Sequence, residues 1–213
     1  MPNDTERHAI FGMTGSGKTV FGAYCLQQRS YDRMPWIVLD WKRDDLLARI
    51  PRLEEIDITG KPPRSRGLYV ARPLPHQEAE VDDFMWKIWA RGRTGLFVDE
   101  GYMIGRFNRA YRALLTQGRS KRIPIITLSQ RPAWISPFIF SESDFISSFF
   151  LYNAADVKRV AEWMPNVRAD AIPRYHSYMH DVKRHETAFL APCPDENEII
   201  NRFDMKLGRP KFL

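Results

Sequence analysis

The sequence predicts an α/β fold with a central, mostly parallel sheet flanked by helices and a β-hairpin near its C-terminal end. Short apolar runs alternate with segments of helical periodicity from start to finish, which is the pattern of strand-helix-strand units. The apolar runs are continuous, as in strands that are covered on both faces. A period-two pattern follows these units and indicates the hairpin.

The composition bounds the class of protein. The 213 residues are 44% hydrophobic and 27% charged, a balance typical of a globular protein. We expect one domain over 1–213, with a core at about 7–165 and a hairpin and basic tail at about 173–213. No segment approaches the ~20 apolar residues that span a bilayer, so we expect no membrane insertion and a cytoplasmic location. The net charge of +6 is compatible with a nucleic acid partner and equally with ordinary solubility.

The first half of the chain alternates strands and helices. Strands are expected at residues 8–11, 36–40 and 68–70. Helices are expected at residues 18–29 and 77–90. The second helix carries an apolar stripe that we expect to face the core: Val81, Phe84, Met85, Ile88 and Trp89. Residues 51–66 are rich in proline and charge and are interpreted as a surface excursion.

The second half continues this alternation and ends in the hairpin. Strands are expected at residues 96–98, 123–128 and 145–152. Helices are expected at residues 106–117 and 154–163. The hairpin turns around residues 181–186, and its histidines (His176, His180 and His185) are interpreted as exposed polar residues rather than metal ligands. Residues 202–213 are basic and without periodicity.

A glycine-rich run with the spacing of a phosphate-binding loop follows the first strand, from Gly12 to Thr19. Glycines let backbone N–H groups converge on phosphates, and the helix that follows adds its positive dipole. We expect nucleotide contacts from Gly12, Thr14, Gly15, Ser16, Gly17, Lys18 and Thr19. Lys18 would reach the β- and γ-phosphates, and Thr19 the Mg²⁺. A glycine turn that merely caps a helix is the alternative, but the strand before it and the helix after it favour phosphate binding.

An apolar strand that ends in two carboxylates, Asp99 and Glu100, supplies a second element. Asp99 would hold the Mg²⁺ through water, and Glu100 would orient and deprotonate an attacking water. Phosphoryl transfer to a small acceptor does not require the second carboxylate, so the pair favours hydrolysis of ATP.

Two polar features lie near the next strand. Gln130 ends this strand, where an amide could contact the γ-phosphate or the attacking water; the alternative is an ordinary strand end. Three cations precede the strand within residues 117–122. An arginine among them could reach a neighbouring subunit's nucleotide, whereas a bare charge run is more often a solvated face.

These residues resemble the FtsK/HerA superfamily of DNA-pumping ATPases. The most specific element is the run from Gln130 to Pro132, which follows Gly118, Arg119 and the strand at 123–128. The resemblance covers most of the chain: residues 12–19, 38–42, 98–100, 118–132 and 145–160.

The resemblance implies a P-loop NTPase fold of the RecA-like, additional-strand type, with ATP and Mg²⁺ as cofactors. It makes Lys18 a nucleotide ligand and catalytic residue, and Thr19 and Asp99 the metal residues. It also assigns a catalytic base, a sensor and an arginine finger acting in trans, which are Glu100, Gln130 and Arg119. Arg122 is the alternative finger, and Asp40 matches the family without an assigned role.

In size and layout the chain is similar to minimal viral genome-packaging ATPases of tectivirus-like phages. The resemblance therefore implies a homo-oligomeric ring, expected to be a hexamer, that grips the backbone of double-stranded DNA without regard to sequence. Capsid or portal vertex proteins would be its partners, in the host cytoplasm or on the virion at the packaging vertex. The alternatives are a related motor for DNA transfer or filamentous phage export, a P-loop small-molecule kinase, and a nucleotide-gated assembly protein.

Overall fold

The computed structural model describes residues 6–207, and within them nine strands form one sheet. The strands are β1 (His8–Phe11), β2 (Pro35–Leu39), β3 (Glu54–Glu55), β4 (Gly67–Ala71), β5 (Gly95–Val98), β6 (Ile125–Ser129), β7 (Phe145–Ser148), β8 (Ser177–Asp181) and β9 (Glu186–Leu190). Their order across the sheet is β3-β4-β2-β5-β6-β1-β7-β8-β9. The first seven strands run parallel, and β8 and β9 form the antiparallel hairpin that extends the sheet beyond β7.

Helices connect the strands and cover both faces of the sheet. They are α1 (Lys18–Gln27), α2 (Asp45–Ala48), α3 (Glu78–Arg91), α4 (Arg109–Gln117), α5 (Phe138–Ser141), α6 (Ala154–Ala161) and α7 (Glu196–Leu207), with 3₁₀ turns at Gly101–Ile104 and Ala169–Ala171. Within residues 6–207, every helix is too short or too polar to cross a bilayer.

The predicted fold class is confirmed, including the additional strand. β6 lies between β1, which leads into the glycine loop, and β5, which ends in the acidic pair. Because all three strands are parallel, their carboxyl ends meet at one edge of the sheet. The residues that follow each of them are therefore brought together at this edge.

The core has two layers because strand residues alternate between the two faces of the sheet. In β2, Trp36 and Val38 pack on the face covered by α1 and α7. Ile37 and Leu39 pack on the opposite face, against α3 and α4. The stripe predicted on α3 is buried there, apart from Trp89, which is partly buried.

Three segments differ from the sequence-based expectation. The proline-rich segment at 51–66 contributes the short edge strand β3, which pairs with β4, and buries Ile58. The strand expected at 145–152 ends at Ser148. Residues 202–207, expected to lack periodicity, belong to α7, and residues 208–213 lie outside the described chain.

Helix α7 docks on α1 through two buried side chains, Ile199 and Phe203. They are four residues apart and therefore lie on the same side of the helix. The helix starts where Asp195 accepts a hydrogen bond from the backbone N–H of Glu198, a capping contact. The ring of Phe203 stacks on Tyr31 with a centroid distance of 6.1 Å. These two apolar residues escaped detection because they sit among charged residues.

Candidate active site

The glycine loop follows β1 and leads directly into α1. Gly15 and Gly17 have φ angles of +72° and +100°, in the left-handed region that favours glycine. A Cβ on Gly12 would lie 2.6 Å from the Oγ of Ser16, so the loop closes too tightly for a side chain there. The amides in the first turn of α1 have no intrahelical acceptor, which leaves them available to an anion.

Lys18 and the acidic pair face each other, as their motifs predict. The Nζ of Lys18 is 3.7 Å from Oδ1 of Asp99 and 3.4 Å from Oε1 of Glu100. Lys18 is 4% exposed and both carboxylates are 1% exposed. These charges therefore interact in a buried setting, where water screens them little.

Glu100 is held in a constrained position at the end of β5. Its φ of +57° is unusual for a residue with a side chain. Its Oε1 accepts hydrogen bonds at 2.5 Å from both the Nζ of Lys42 and the Nε2 of Gln130. Gln130 also accepts a hydrogen bond of 2.8 Å from the hydroxyl of Thr14. Gln130 thus connects the glycine loop to the Glu100 carboxylate.

The two carboxylates have opposite pKa shifts. Burial raises the pKa of Asp99 to about 6, although Lys18 partly offsets this effect. Burial also acts to raise the pKa of Glu100, but Lys18, Lys42 and the Gln130 amide together bring it below its ordinary value. Glu100 is therefore ionised at neutral pH and can accept a proton, while Asp99 favours a cationic partner.

The residues present fit a Mg²⁺ ion bound beside phosphates. Within the described chain, the Oδ1 of Asp99 and the Oγ of Ser16 are buried without a hydrogen-bond partner. Thr19 is partly exposed in the first turn of α1. Carboxylate and hydroxyl oxygens are ligands that Mg²⁺ prefers, and the ion takes its remaining ligands from water and phosphate. Residues 6–207 contain no group of three or more His, Cys, Asp or Glu side chains that could hold a metal by themselves.

Lys42 is a site residue for which the sequence analysis proposed no role. It lies in a turn that Asp40 closes by accepting a 3.1 Å hydrogen bond from the N–H of Asp44. Asp40 is fully buried with Arg72 at 3.5 Å. Burial raises the pKa of Asp40 despite these partners. Asp40 therefore closes the turn from which Lys42 contacts Glu100. The two-residue separation of Asp40 and Lys42 in the sequence was the signal that could have pointed to this contact.

A cavity of about 430 Å³ borders the glycine loop on its other side. Its lining is mostly apolar: Met13, Thr14, Gly15, Ser16, Phe150, Ile172 and Arg174. Tyr175 lies next to it, and a Cβ on Gly17 would be 3.3 Å from the Tyr175 ring. The cavity has room for a planar base attached to the phosphates. The sequence analysis missed it, because Phe150 and the segment before β8 are distant from the loop in the chain.

Arg119 lies far from this site, at the opposite edge of the sheet. It precedes β6, whereas the glycine loop follows β1, and the two strands are parallel neighbours. Its guanidinium pairs with Asp144 at 2.9 Å and donates to the carbonyl of Glu142 at 3.0 Å. Arg119 therefore does not reach the nucleotide site of its own chain.

An ionic cluster around the buried residues Arg7 and Asp144 holds Arg119. Arg7 donates to the carbonyls of Leu114 and Leu115 at the end of α4, and its backbone N–H donates to Asp144 at 2.9 Å. Lys183 of the hairpin also pairs with Asp144, at 2.7 Å.

The two finger candidates have different surroundings. Burial acts to raise the pKa of Asp144, but Lys183, Arg7 and Arg119 bring it below its ordinary value. Arg119 is thus held by an ionised partner. Arg122 is exposed and makes no ion pair with the described residues.

The glycine loop, the additional strand and the acidic pair facing Lys18 define this chain as a P-loop NTPase of the additional-strand class. The sequence is 39% identical over 224 residues to the DNA packaging ATPase P9 of Enterobacteria phage PRD1, covering 100% of this chain and 98% of that protein. The chain therefore belongs to the family of this viral DNA packaging ATPase. No protein-family model matches the sequence.

Solved structures share the fold at low sequence identity. The genome packaging NTPase B204 of Sulfolobus turreted icosahedral virus 2, in complex with AMPPCP, has a TM-score of 0.70 at 16% identity, covering 90% of this chain and 100% of that chain. ATPases 2 and 3 of EssC from Geobacillus thermodenitrificans have a TM-score of 0.66 at 12% identity, covering 98% of this chain and 46% of that chain.

Proposed function

We propose that this protein hydrolyses ATP to drive double-stranded DNA into a viral capsid. The observation that carries the proposal is Glu100, an ionised and buried carboxylate 3.4 Å from Lys18 and hydrogen-bonded to Gln130. A pure nucleotide switch gains little from such a base. Membership in a family of DNA packaging ATPases supports the choice of DNA over a small-molecule acceptor.

The chain's own residues account for the chemistry. Lys18 and the amides of the glycine loop bind the phosphates, and the apolar cavity beside the loop receives the base. Thr19 and Asp99 would hold Mg²⁺, which neutralises phosphate charge when bound. Glu100 accepts a proton from water as the water oxygen bonds to the γ-phosphorus and the bond to the ADP oxygen breaks.

Nucleotide binding changes the partners of Glu100. Lys18 lies 3.4 Å from Glu100 in this structure, and phosphates are a competing anionic partner for the lysine. When Lys18 turns to the phosphates, the carboxylate loses one stabilising cation and becomes more basic. Gln130 contacts both Thr14 and Glu100, so it can report the state of the loop to β6.

The position of Arg119 supports an oligomer, since an arginine at the opposite edge of the sheet would serve the nucleotide of another subunit. We therefore propose a ring with shared sites, and we propose six subunits on the resemblance to the motor superfamily. Arg122, exposed near the same edge, is the alternative finger. The ring would act in the host cytoplasm at a capsid vertex, and its partners would be capsid or portal proteins.

The decisive experiment measures ATP hydrolysis with and without double-stranded DNA. DNA is expected to stimulate hydrolysis, and Lys18→Ala and Glu100→Gln are expected to abolish it. Glu100→Gln should still bind ATP, because it keeps the loop intact. Hydrolysis that is indifferent to DNA would contradict the proposed function.

Mixed rings test the shared site. Arg119→Ala and Lys18→Ala are each expected to be inactive alone. Mixing them creates interfaces where an intact Lys18 of one subunit meets an intact Arg119 of its neighbour, so activity should return. An Arg119→Ala variant that stays active, together with an inactive Arg122→Ala variant that Lys18→Ala rescues on mixing, assigns the finger to Arg122. A mixture of inactive Arg119→Ala with Lys18→Ala that stays inactive contradicts a shared site completed by Arg119.

A further inference from the structure

A basic surface on the loop that follows the acidic pair has no role in the chemistry described above. From residue 101 to residue 141 the chain contains seven Lys and Arg residues and no Asp or Glu. Three of these cations recur at every third position: Arg106, Arg109 and Arg112. Together with Phe107 we call these residues the basic ridge.

The ridge is exposed and its charges are unpaired. Arg106, Arg109 and Arg112 are all exposed, and none of them makes an ion pair with any residue in 6–207. Phe107 is 83% exposed, which is unusual for an aromatic side chain of a folded protein. The buried side chains of α4 lie on its other face, including Tyr111 and Leu114. The ridge therefore points away from the core.

Helical geometry places two of the ridge arginines side by side. Arg109 and Arg112 are three residues apart on α4, so they are neighbours on one face, about 4.5 Å apart along the axis. The guanidinium of Arg106 lies 5.8 Å from the Phe107 ring, just before the helix. The result is two arginines on one face of α4, with a third arginine and an aromatic ring in the turn just before the helix. None of the three cations pairs with a carboxylate of residues 6–207.

The ridge is close to Glu100 along the chain. Only the 3₁₀ turn Gly101–Ile104 and Gly105 separate Glu100 from Arg106. Gly105 has a φ of +81°, in the left-handed region that favours glycine, and nothing lies within 4 Å of its Cβ position. Helix α4 is also tied to β6, because the Tyr111 hydroxyl forms a 2.5 Å hydrogen bond with the Thr127 hydroxyl. Thr127 precedes Gln130 by three residues.

We infer that the basic ridge is a contact surface for the phosphate backbone of double-stranded DNA, an inference that rests on the proposed function. Charge complementarity selects the occupant, because unpaired arginines gain most from a polyanion that releases counterions. Phe107 would pack against the sugars or base edges beside the contacted phosphates. Movement of Glu100 or Gln130 upon hydrolysis would shift the ridge and the DNA with it.

A pair of matched double variants tests this inference. Arg109→Gln with Arg112→Gln removes two ridge cations and keeps helix-forming side chains of similar length. Arg33→Gln with Arg93→Gln removes the same charge from exposed positions that precede β2 and β5, at the opposite edge of the sheet. DNA affinity is measured between 50 mM and 200 mM salt, together with basal ATP hydrolysis.

In the ridge variant, the negative slope of log affinity against log salt is expected to become shallower by about 1.8, since each of the two lost phosphate contacts contributes about 0.9. Over that fourfold salt range, the affinity ratio of wild type to variant would shrink about 12-fold. Its basal hydrolysis should be unchanged, and the control variant should keep the wild-type slope. Phe107→Ala should weaken binding without changing the slope.

Three outcomes overturn the inference. Equal slopes for the ridge and control variants would show that the loss of affinity reflects net charge alone. Loss of the ring in the ridge variant, measured by sedimentation, would assign the ridge to a subunit interface. Wild-type protein that fails to bind DNA would contradict the proposed function itself, so the two failures are distinguishable.

Discussion

Asp99→Asn is expected to stabilise the nucleotide-free protein while it abolishes Mg²⁺-dependent hydrolysis. Asp99 is 1% exposed, and the pKa of its carboxyl is raised from 3.8 to about 6. A raised pKa means that the ionised form is disfavoured in the folded state. At pH 8 the folded protein therefore bears a cost for ionising Asp99 that the unfolded chain does not bear.

The magnitude follows from the shift. A difference of about 2 pKa units corresponds to about 3 kcal/mol at 1.36 kcal/mol per unit. If the amide N–H groups of the new asparagine find no acceptor, they cost about 1–2 kcal/mol, which offsets part of this gain in stability. The net gain in the free energy of unfolding is then about 1–2 kcal/mol, which for a chain of this size raises the Tm by about 2–8 °C.

The pH dependence separates this explanation from a packing effect. Below about pH 4 Asp99 is protonated in both the folded and unfolded states, so the advantage of Asn over Asp should largely vanish there. Thermal unfolding is measured for wild type and variant from pH 4 to pH 8, without nucleotide. A variant that is less stable than wild type at pH 8, or a difference that is constant with pH, would refute the reasoning.

Three further predictions concern other parts of the molecule. Lys42→Ala should raise the pKa of Glu100, so the acid limb of the pH profile of kcat should move to higher pH. Lys42→Arg should return the limb to its wild-type position. A fall in kcat without movement of the limb would contradict the role of Lys42 in keeping Glu100 ionised. Asp144→Asn should cost about 1–3 kcal/mol of unfolding free energy at pH 7, because it leaves two cations and a buried amide with a neutral partner. Since the pKa of Asp144 is lowered by folding, that difference should disappear as pH falls below about 4, and denaturant titrations at both pH values check it. Phe203→Ala should cost about 3 kcal/mol in denaturant unfolding, whereas Met205→Ala, on the exposed face of the same helix, should cost less than about 0.5 kcal/mol; equal effects would contradict the docking of α7.

Much of the fold was predictable because it depends on local sequence. Continuous apolar runs such as residues 36–39 are typical of strands covered on both faces, and the structure buries every residue of β2. The glycine spacing from Gly12 to Gly17 likewise predicts a tight turn, and Gly15 and Gly17 have φ values of +72° and +100°, which favour glycine. Helix α7 was missed because its stripe has two strong apolar members within the described helix, too few for periodicity to reveal.

The candidate site likewise has one part that local sequence predicts and one part that depends on tertiary structure. The sequence by itself determined the run with the spacing of a phosphate-binding loop and the two carboxylates that end β5, since each motif is a short run with its own chemistry. The tertiary structure alone decided that Gln130 spans from Thr14 to Glu100, that Lys42 is a third partner of that carboxylate, and that Arg119 lies at the opposite edge of the sheet. These contacts join residues 25 to 116 positions apart, and their existence depends on the order of parallel strands, which no local pattern encodes.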